Sequence, residues 1–260
     1  MSLPEPVRVF WQPGCSSCLA AKEFLKSREV PFESVNVRES EQAMADLAAL
    51  GVRTVPVVSR GSDYVLAQDL DELARFVGVV FERDRLTPAQ LVERLQLLLA
   101  ADERFVMALP QDALGTALRG REDRSWLSLA YHISVIPEAF IDAAEGGELS
   151  YAYYERMPPA SVASSADVAA CYRAISARLD AWWAAHGATL PATVLTYYGE
   201  AATTTVLERT TWHVAQHSRQ LESLAAQAGA AVAPALGERE LAGLPLPGEV
   251  WDDEVAMTGA

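Results

Sequence analysis

The sequence predicts two domains, a small α/β domain followed by an all-α domain. The chain has 260 residues, and at about 100–200 residues per domain this length favours two. Its first eighty residues alternate short β-rich runs with amphipathic helical segments, whereas only helical periodicity follows Gly78. Hydrophobic residues make up 50% of the chain, so both domains can bury a core.

The first domain is predicted to have the element order βαβαββα, a single pair of α/β layers. The apolar run at residues 7–11 suits a buried strand, and Pro13-Gly14 ends it before an amphipathic helix. Gly51 is placed to cap the second helix and Asp69 to begin the third. We predict strands at 7–11, 32–37, 55–58 and 64–66, and helices beginning after Gly14, at 40–50 and at 69–76.

The second domain is predicted to be an antiparallel four-helix bundle. Thr87-Pro88 has the pattern of an N-cap followed by a proline at the first helical position. Pro137 is expected to kink the second helix. We predict helices at about 87–108, 123–144, 166–186 and 203–228. The predicted organisation is the first domain at 1–79, a linker at 80–86, the bundle at 87–252 and an acidic tail at 253–260.

Charge and hydropathy exclude several kinds of partner. The net charge is −14, of which −3 falls on residues 1–80 and −11 on the remainder. An acidic surface without a Lys/Arg cluster disfavours nucleic acid. The sequence shows neither an apolar run long enough for a membrane helix nor a secretory signal. We therefore expect a cytoplasmic protein with no nucleic-acid or membrane partner, in a compartment where thiols are kept reduced.

Two of the three cysteines form the pattern Cys15-Ser16-Ser17-Cys18 between a predicted strand and a predicted helix. The N–H groups and dipole of a helix N-terminus stabilise a thiolate, which favours Cys15 as the nucleophile. Cys18, one turn further on, can resolve a mixed disulfide at Cys15. The alternative is half of a zinc site, but this domain offers no third cysteine and no histidine. We predict a redox-active dithiol.

The surrounding residues resemble a glutaredoxin over about residues 6–78. The likeness rests on FWQPGCSSCLAAKEFL, on the run Arg53-Thr54-Val55-Pro56 and on Asp69. It implies a thioredoxin-like fold in which Pro56 is cis and faces the dithiol. It also implies that the run containing Thr54 binds a thiol, that the Val55 backbone pairs with the peptide part of a glutathione-like thiol, and that Arg53 and Asp69 flank its charged ends.

Two departures from that family bear on the thiol. Ser16-Ser17 stands where the family usually has Pro-Tyr, and Ala67-Gln68 replaces the Gly-Gly pair that usually precedes the last helix. The partner is therefore open among glutathione, another low-molecular-weight thiol such as mycothiol or bacillithiol, and a protein disulfide.

All four histidines lie in the predicted helical domain. His213 and His217 are four residues apart, so they project from one helical face and can bind one transition-metal ion. His132 lies in the middle of another predicted helix. Three histidines from two facing helices would leave coordination positions open, as in a catalytic metal site. The alternative is ordinary core or surface histidines, and His186, next to Gly187, is expected to cap a helix.

The residues around these histidines resemble the DinB/YfiT-like helical bundles over about residues 86–252. The likeness rests on Trp126…His132, on TWHVAQHSRQL from Thr211 and on the closing LPLPGEVWD. It implies that His132, His213 and His217 bind a divalent metal. Zinc, nickel and iron all suit imidazole ligands.

These features support three hypotheses about function. Some DinB-like proteins resemble thiol-dependent S-transferases, in which a metal binds a small thiol as thiolate. The leading hypothesis is therefore a thiol–disulfide oxidoreductase fused to a metal-binding bundle that transfers a small thiol to an electrophile in detoxification or stress response. The second is a dithiol reductase whose bundle is a non-catalytic, metal-stabilised module for homodimerisation. The third is a metal-trafficking protein.

Overall fold

The structure, a computed structural model, describes residues 5–39 and 41–252. These residues fall into two compact units. One unit extends to Arg83 and takes in the segment from Pro247 to Asp252, and the other is Asp84–Leu246. Among the described helices, none is both long enough and apolar enough to cross a membrane. The predicted acidic tail at 253–260 lies outside the described residues.

The first unit contains β1 (Val7–Trp11), α1 (Ser16–Ser27), β2 (Phe32–Asn36), α2 (Glu41–Ala49), β3 (Val57–Arg60), β4 (Asp63–Val65) and α3 (Leu70–Val77). This is the predicted order βαβαββα. The strands form one sheet in the order β2-β1-β3-β4. β1 pairs in parallel with β2 and antiparallel with β3, and β3 pairs antiparallel with β4.

Alternation along the strands divides the core of this unit between the two faces of the sheet. One cluster of buried side chains contains Val9 and Val58. The other contains their chain neighbours Phe10 and Val57 together with Cys18. The second cluster therefore packs the first turn of α1 against the sheet.

The segment Pro247–Asp252 belongs to the first unit, whereas the sequence analysis assigned it to the bundle. Glu23 accepts hydrogen bonds from two backbone N–H groups of the segment. Lys22 Nζ donates to the two carboxylate oxygens of Asp252 at 3.0 and 2.8 Å. This pairing joins residues 230 positions apart, so local periodicity could not indicate it.

The helices of the second unit are α4 (Pro88–Ala108), α5 (Trp126–Ala144), α6 (Ala152–Glu155), α7 (Ser165–His186), α8 (Thr203–Gln227) and α9 (Glu238–Leu241). Among the four long ones, α4 and α5 each pack against both α7 and α8. Capping boxes at Thr87, Ser125 and Ser164 begin α4, α5 and α7. The predicted positions of α4, α7 and α8 agree with the structure.

The connections between these helices carry short strands that the sequence analysis missed. β5 (Ala117–Leu118) and β6 (Arg121–Ser125) form a hairpin, and β7 (Glu148–Leu149), β8 (Thr193–Thr196) and β9 (Gly199–Ala202) form a three-stranded sheet. The predicted start of the second helix at residue 123 is wrong, because β6 occupies that position and Ser125 caps the helix. Strands this short show too little alternation to be predicted from their pattern.

Candidate functional site

Cys15 and Cys18 lie at the start of α1 and form a disulfide, with their Cα atoms 5.2 Å apart. Cys15 is the N-cap residue of α1, and its Sγ accepts a hydrogen bond from the Cys18 N–H at 3.2 Å. Gly14 permits this turn into the helix because its φ of 74° lies in the left-handed region. A thiolate at Cys15 would therefore lie at the positive end of the helix dipole.

The two sulfur-bearing residues differ in accessibility. Cys15 is partly exposed, whereas Cys18 is 0% exposed and belongs to the core cluster with Phe10 and Val55. A substrate disulfide can reach Cys15, while Cys18 is enclosed. This difference favours Cys15 as the attacking thiol and Cys18 as the resolving one.

The predicted thiol-binding residues have different surroundings. The Val55-Pro56 peptide bond is cis, as the resemblance implies, and both residues are buried. Arg53 is exposed and Thr54 is half-buried. Asp69 caps α3, and its carboxylate accepts a hydrogen bond from the backbone N–H two residues further on. Contact of Arg53, Thr54 or Asp69 with a bound thiol stays a prediction.

The position where the sequence departs from the usual Gly-Gly pair keeps a backbone conformation that favours glycine. Ala67 has a φ of 44°, in the left-handed region that side chains with a Cβ rarely adopt. Gln68 is buried. Alanine stands where the glutaredoxin family usually has glycine, but the residue at this turn before α3 still has a left-handed backbone conformation.

The three predicted metal ligands converge in the second unit. One ligand nitrogen from each of His132, His213 and His217 lies within 4.8 Å of the others, and Nε2 of His213 is 3.1 Å from Nε2 of His217. α5 supplies His132, and α8 supplies the other two from successive turns. His186 lies elsewhere, at the end of α7, with its Nδ1 3.0 Å from the carbonyl oxygen of Trp182.

Hydrogen bonding and burial favour neutral rings whose nitrogen lone pairs are available. Gln220 Oε1 lies 2.7 Å from His217 Nδ1, so this nitrogen carries the proton and Nε2 directs its lone pair towards His213. The Nδ1 atoms of His132 and His213 are buried without a hydrogen-bond partner among the described residues. Burial lowers the pKa of all three histidines, to about 4 for His217. Neutral imidazole is the form that binds metal, so this donor set fits a divalent transition-metal ion.

One tyrosine lies beside the histidines and contacts two arginines. The ring centroid of Tyr154 is 5.9 Å from that of His132 and 5.5 Å from that of His213. Its hydroxyl accepts a hydrogen bond from Arg209 Nη1 at 2.8 Å, and its carbonyl accepts one from Arg124 Nη2 at 3.2 Å. None of these three residues was predicted from the sequence. The four-residue spacing that identified the histidine pair extends back one turn to Arg209 and could have found it.

The first unit combines a mixed α/β sheet with a cysteine pair at a helix N-terminus, which is the arrangement of a thioredoxin-like thiol–disulfide domain. Residues 7–65 match the family model of the glutaredoxins. The chain thus carries a glutaredoxin domain at its N-terminus, followed by a helical region.

Neither curated proteins nor solved structures identify a family for the whole chain. No curated protein matches the sequence. Among solved structures, a Tau class glutathione S-transferase from mango (Mangifera indica) is 12% identical, with 86% of this chain and 98% of that chain covered. Its TM-score is 0.28, and at this value the likeness carries no argument about fold or function. The DinB-like bundle stays a prediction.

Proposed function

We propose that the chain is a glutaredoxin-type thiol–disulfide oxidoreductase fused to a metal-dependent thiol-transfer domain. The observation that carries the first part is the pairing of the partly exposed Cys15, at the N-terminus of α1, with the enclosed Cys18. The glutaredoxin match over residues 7–65 supports it. We place the protein in the cytoplasm, where small thiols keep such a pair reduced.

The proposed cycle uses both cysteines and an external thiol. Two molecules of a low-molecular-weight thiol reduce the disulfide between Cys15 and Cys18 and leave as their own disulfide. The Cys15 thiolate then attacks a substrate disulfide, which forms a mixed disulfide and releases one substrate thiol. Cys18 attacks the Cys15 sulfur, releases the second substrate thiol and restores the internal disulfide. Arg53 and Asp69 would contact the charged ends of the small thiol.

Reduction of a mixed disulfide between a small thiol and a peptide cysteine tests this cycle. Cys15→Ser should abolish turnover, and Cys18→Ser should accumulate a mixed disulfide at Cys15 that mass spectrometry detects. Cys171→Ser, at a half-buried free cysteine, is the matched control and should retain turnover. Activity that survives in Cys15→Ser would contradict the proposal. Glutathione, mycothiol and bacillithiol are tried separately as the reducing thiol.

For the second unit, we propose that His132, His213 and His217 hold zinc, nickel or iron. The convergence of three ligand nitrogens and the burial that keeps the rings neutral support this. When bound, the metal would supply Lewis acidity that lowers the pKa of a thiol for attack on an electrophile. The hydrogen bond from His217 to Gln220 holds that ring in the required tautomer. Three protein ligands leave room for the substrate.

Metal content after reconstitution and dialysis tests the second part. The wild type should retain about one equivalent per chain, as a three-histidine site does, and His213→Ala/His217→Ala should retain none while keeping dithiol activity. His186→Ala is the matched control and should keep the metal. A wild type without metal would contradict the transferase proposal. Metal without thiol-dependent turnover of any electrophile in a panel would favour the dimerisation module, which sedimentation analysis would then show.

A further inference from the structure

We infer that the proposed metal site takes a thiol that also carries a carboxylate, which Arg124 and Arg209 bind beside the three histidines. The inference rests on the proposed function and deepens it, because it specifies the charge of the thiol. The inference depends on the burial and the hydrogen-bond partners of the Arg124 and Arg209 side chains.

Arg124, in β6, is a half-buried cation. Its Nη2 donates to the backbone carbonyl of Tyr154 at 3.2 Å. Within residues 5–39 and 41–252, no carboxylate forms an ion pair with it. Burial and the nearby charge of Arg121 lower its pKa more than the charges of Asp123 and Glu155 raise it, so burial carries a net cost for the charged form. An anion bound beside it would relieve that cost.

Arg209, in α8, is only 5% exposed and lies one turn before His213. Its guanidinium donates to the hydroxyls of Tyr154 at 2.8 Å and Tyr197 at 3.3 Å. It also lies 5.3 Å from the ring centroid of Tyr154 and 5.7 Å from that of Tyr198. These contacts fix the position of the guanidinium, whose charge would attract a carboxylate bound beside it.

Both arginines contact Tyr154, whose ring lies beside those of His132 and His213. A metal ion would add positive charge to the same place. Such a site selects an anionic small molecule.

A small molecule that binds both the proposed metal and the two arginines needs a thiol and a carboxylate. Its sulfur must reach the histidine cluster, where it loses its proton to solvent, and its carboxylate must reach Arg124 and Arg209. A mercapto-carboxylic acid has both groups, whereas a neutral or cationic thiol has only the sulfur.

Titration of the cobalt-loaded full chain with matched thiols tests this inference. The chain carries Cys15→Ser/Cys18→Ser, so that added thiols meet no disulfide, and thiolate-to-cobalt absorption reports binding. Mercaptopropionate should bind about tenfold more tightly than its uncharged amide, the effect expected of one charge-assisted contact. Cysteamine, which is cationic, should bind more weakly than the amide.

Arginine variants separate recognition of the carboxylate from simple chelation by the metal. Arg124→Gln and Arg209→Met should each reduce the preference for mercaptopropionate to about threefold or less, with cobalt still bound. Arg209→Lys, which keeps the charge, should retain most of the preference. Arg119→Gln, at an exposed position in the turn between β5 and β6, is the matched control and should keep all of it.

Two results would overturn the inference while the metal site stands. One is equal affinity of the three thiols for the cobalt-loaded chain, and the other is a preference that Arg124→Gln and Arg209→Met both leave unchanged. A chain that binds no cobalt would instead contradict the proposed metal site, and this inference with it.

Discussion

Removal of the Asp252 carboxylate is predicted to destabilise the first unit strongly. Lys22 Nζ lies 2.8 Å from Asp252 Oδ2, and the two side chains are 1% and 6% exposed. The ring centroid of Trp11 is 3.5 Å from the same nitrogen. Asp252→Asn removes the negative charge beside the buried Lys22 ammonium, and breaking a buried ion pair in this way costs about 3–5 kcal/mol. That cost corresponds to roughly a 150- to 5,000-fold increase in the equilibrium constant for opening.

Alkylation of Cys18 measures this opening, because the residue is 0% exposed in the closed unit. The full chain with Cys15→Ser is treated with iodoacetamide, and mass spectrometry follows the peptide that contains Cys18. When the unit closes faster than it is alkylated, the rate is proportional to the equilibrium constant for opening. Asp252→Asn should therefore raise the rate by at least about 100-fold.

Glu33→Gln is the matched control in the same unit. Glu33 is 3.2 Å from Arg8, and the two side chains are 55% and 28% exposed, so their pair contributes about 0–1 kcal/mol. Its alkylation rate should rise by less than about fivefold. The double variant Lys22→Met/Asp252→Leu should recover most of the loss, because a well-packed apolar pair can replace a buried ion pair. A rate change below about fivefold for Asp252→Asn would refute the reasoning.

Three further predictions concern single sites. Burial raises the pKa of the Asp102 carboxyl well above its usual range, despite a 2.8 Å hydrogen bond from Ser218. Above the ordinary aspartate pKa of about 3.9, the folded chain therefore keeps a proton that the unfolded chain has lost. The free energy of unfolding falls as pH rises from that value towards the pKa of the folded state. Asp102→Asn should remove this fall, so the free energy of unfolding of the variant, measured by urea denaturation, should rise relative to that of the wild type between pH 4 and 6, by at most about 1.4 kcal/mol per pH unit. A difference that does not change with pH would contradict the prediction. Glu29 is exposed and has a φ of 54° just after α1, so Glu29→Gly should raise the free energy of unfolding by about 0.5–1 kcal/mol, measured by urea denaturation; a loss would contradict the assignment. Gln220→Leu removes the 2.7 Å contact with His217 and should weaken metal binding by about 10- to 100-fold in competition with a chelator, whereas unchanged affinity would show that this contact does not orient the ligand.

Local patterns in the sequence predicted much of the fold. The βαβαββα order follows from alternation and helical periodicity, and Thr87-Pro88 marked the beginning of α4. The same local rules placed Cys15 and Cys18 at the start of a helix and paired His213 with His217. These features depend on residues within one or two turns of each other, which is the range over which backbone geometry and capping act.

The remaining features depend on contacts between residues that are distant in the chain. Asp252 joins the first unit through Lys22, 230 positions away, and Arg209 meets Tyr154 across 55 positions. No local period indicates such contacts, because they depend on which helices and connections pack together. The sequence by itself therefore determined the elements of the first unit, the long helices of the second unit, and the candidate dithiol and histidines. Only the tertiary structure decided the short strands of the second unit, which unit holds the C-terminal segment, and which cations contact the tyrosine beside the histidines.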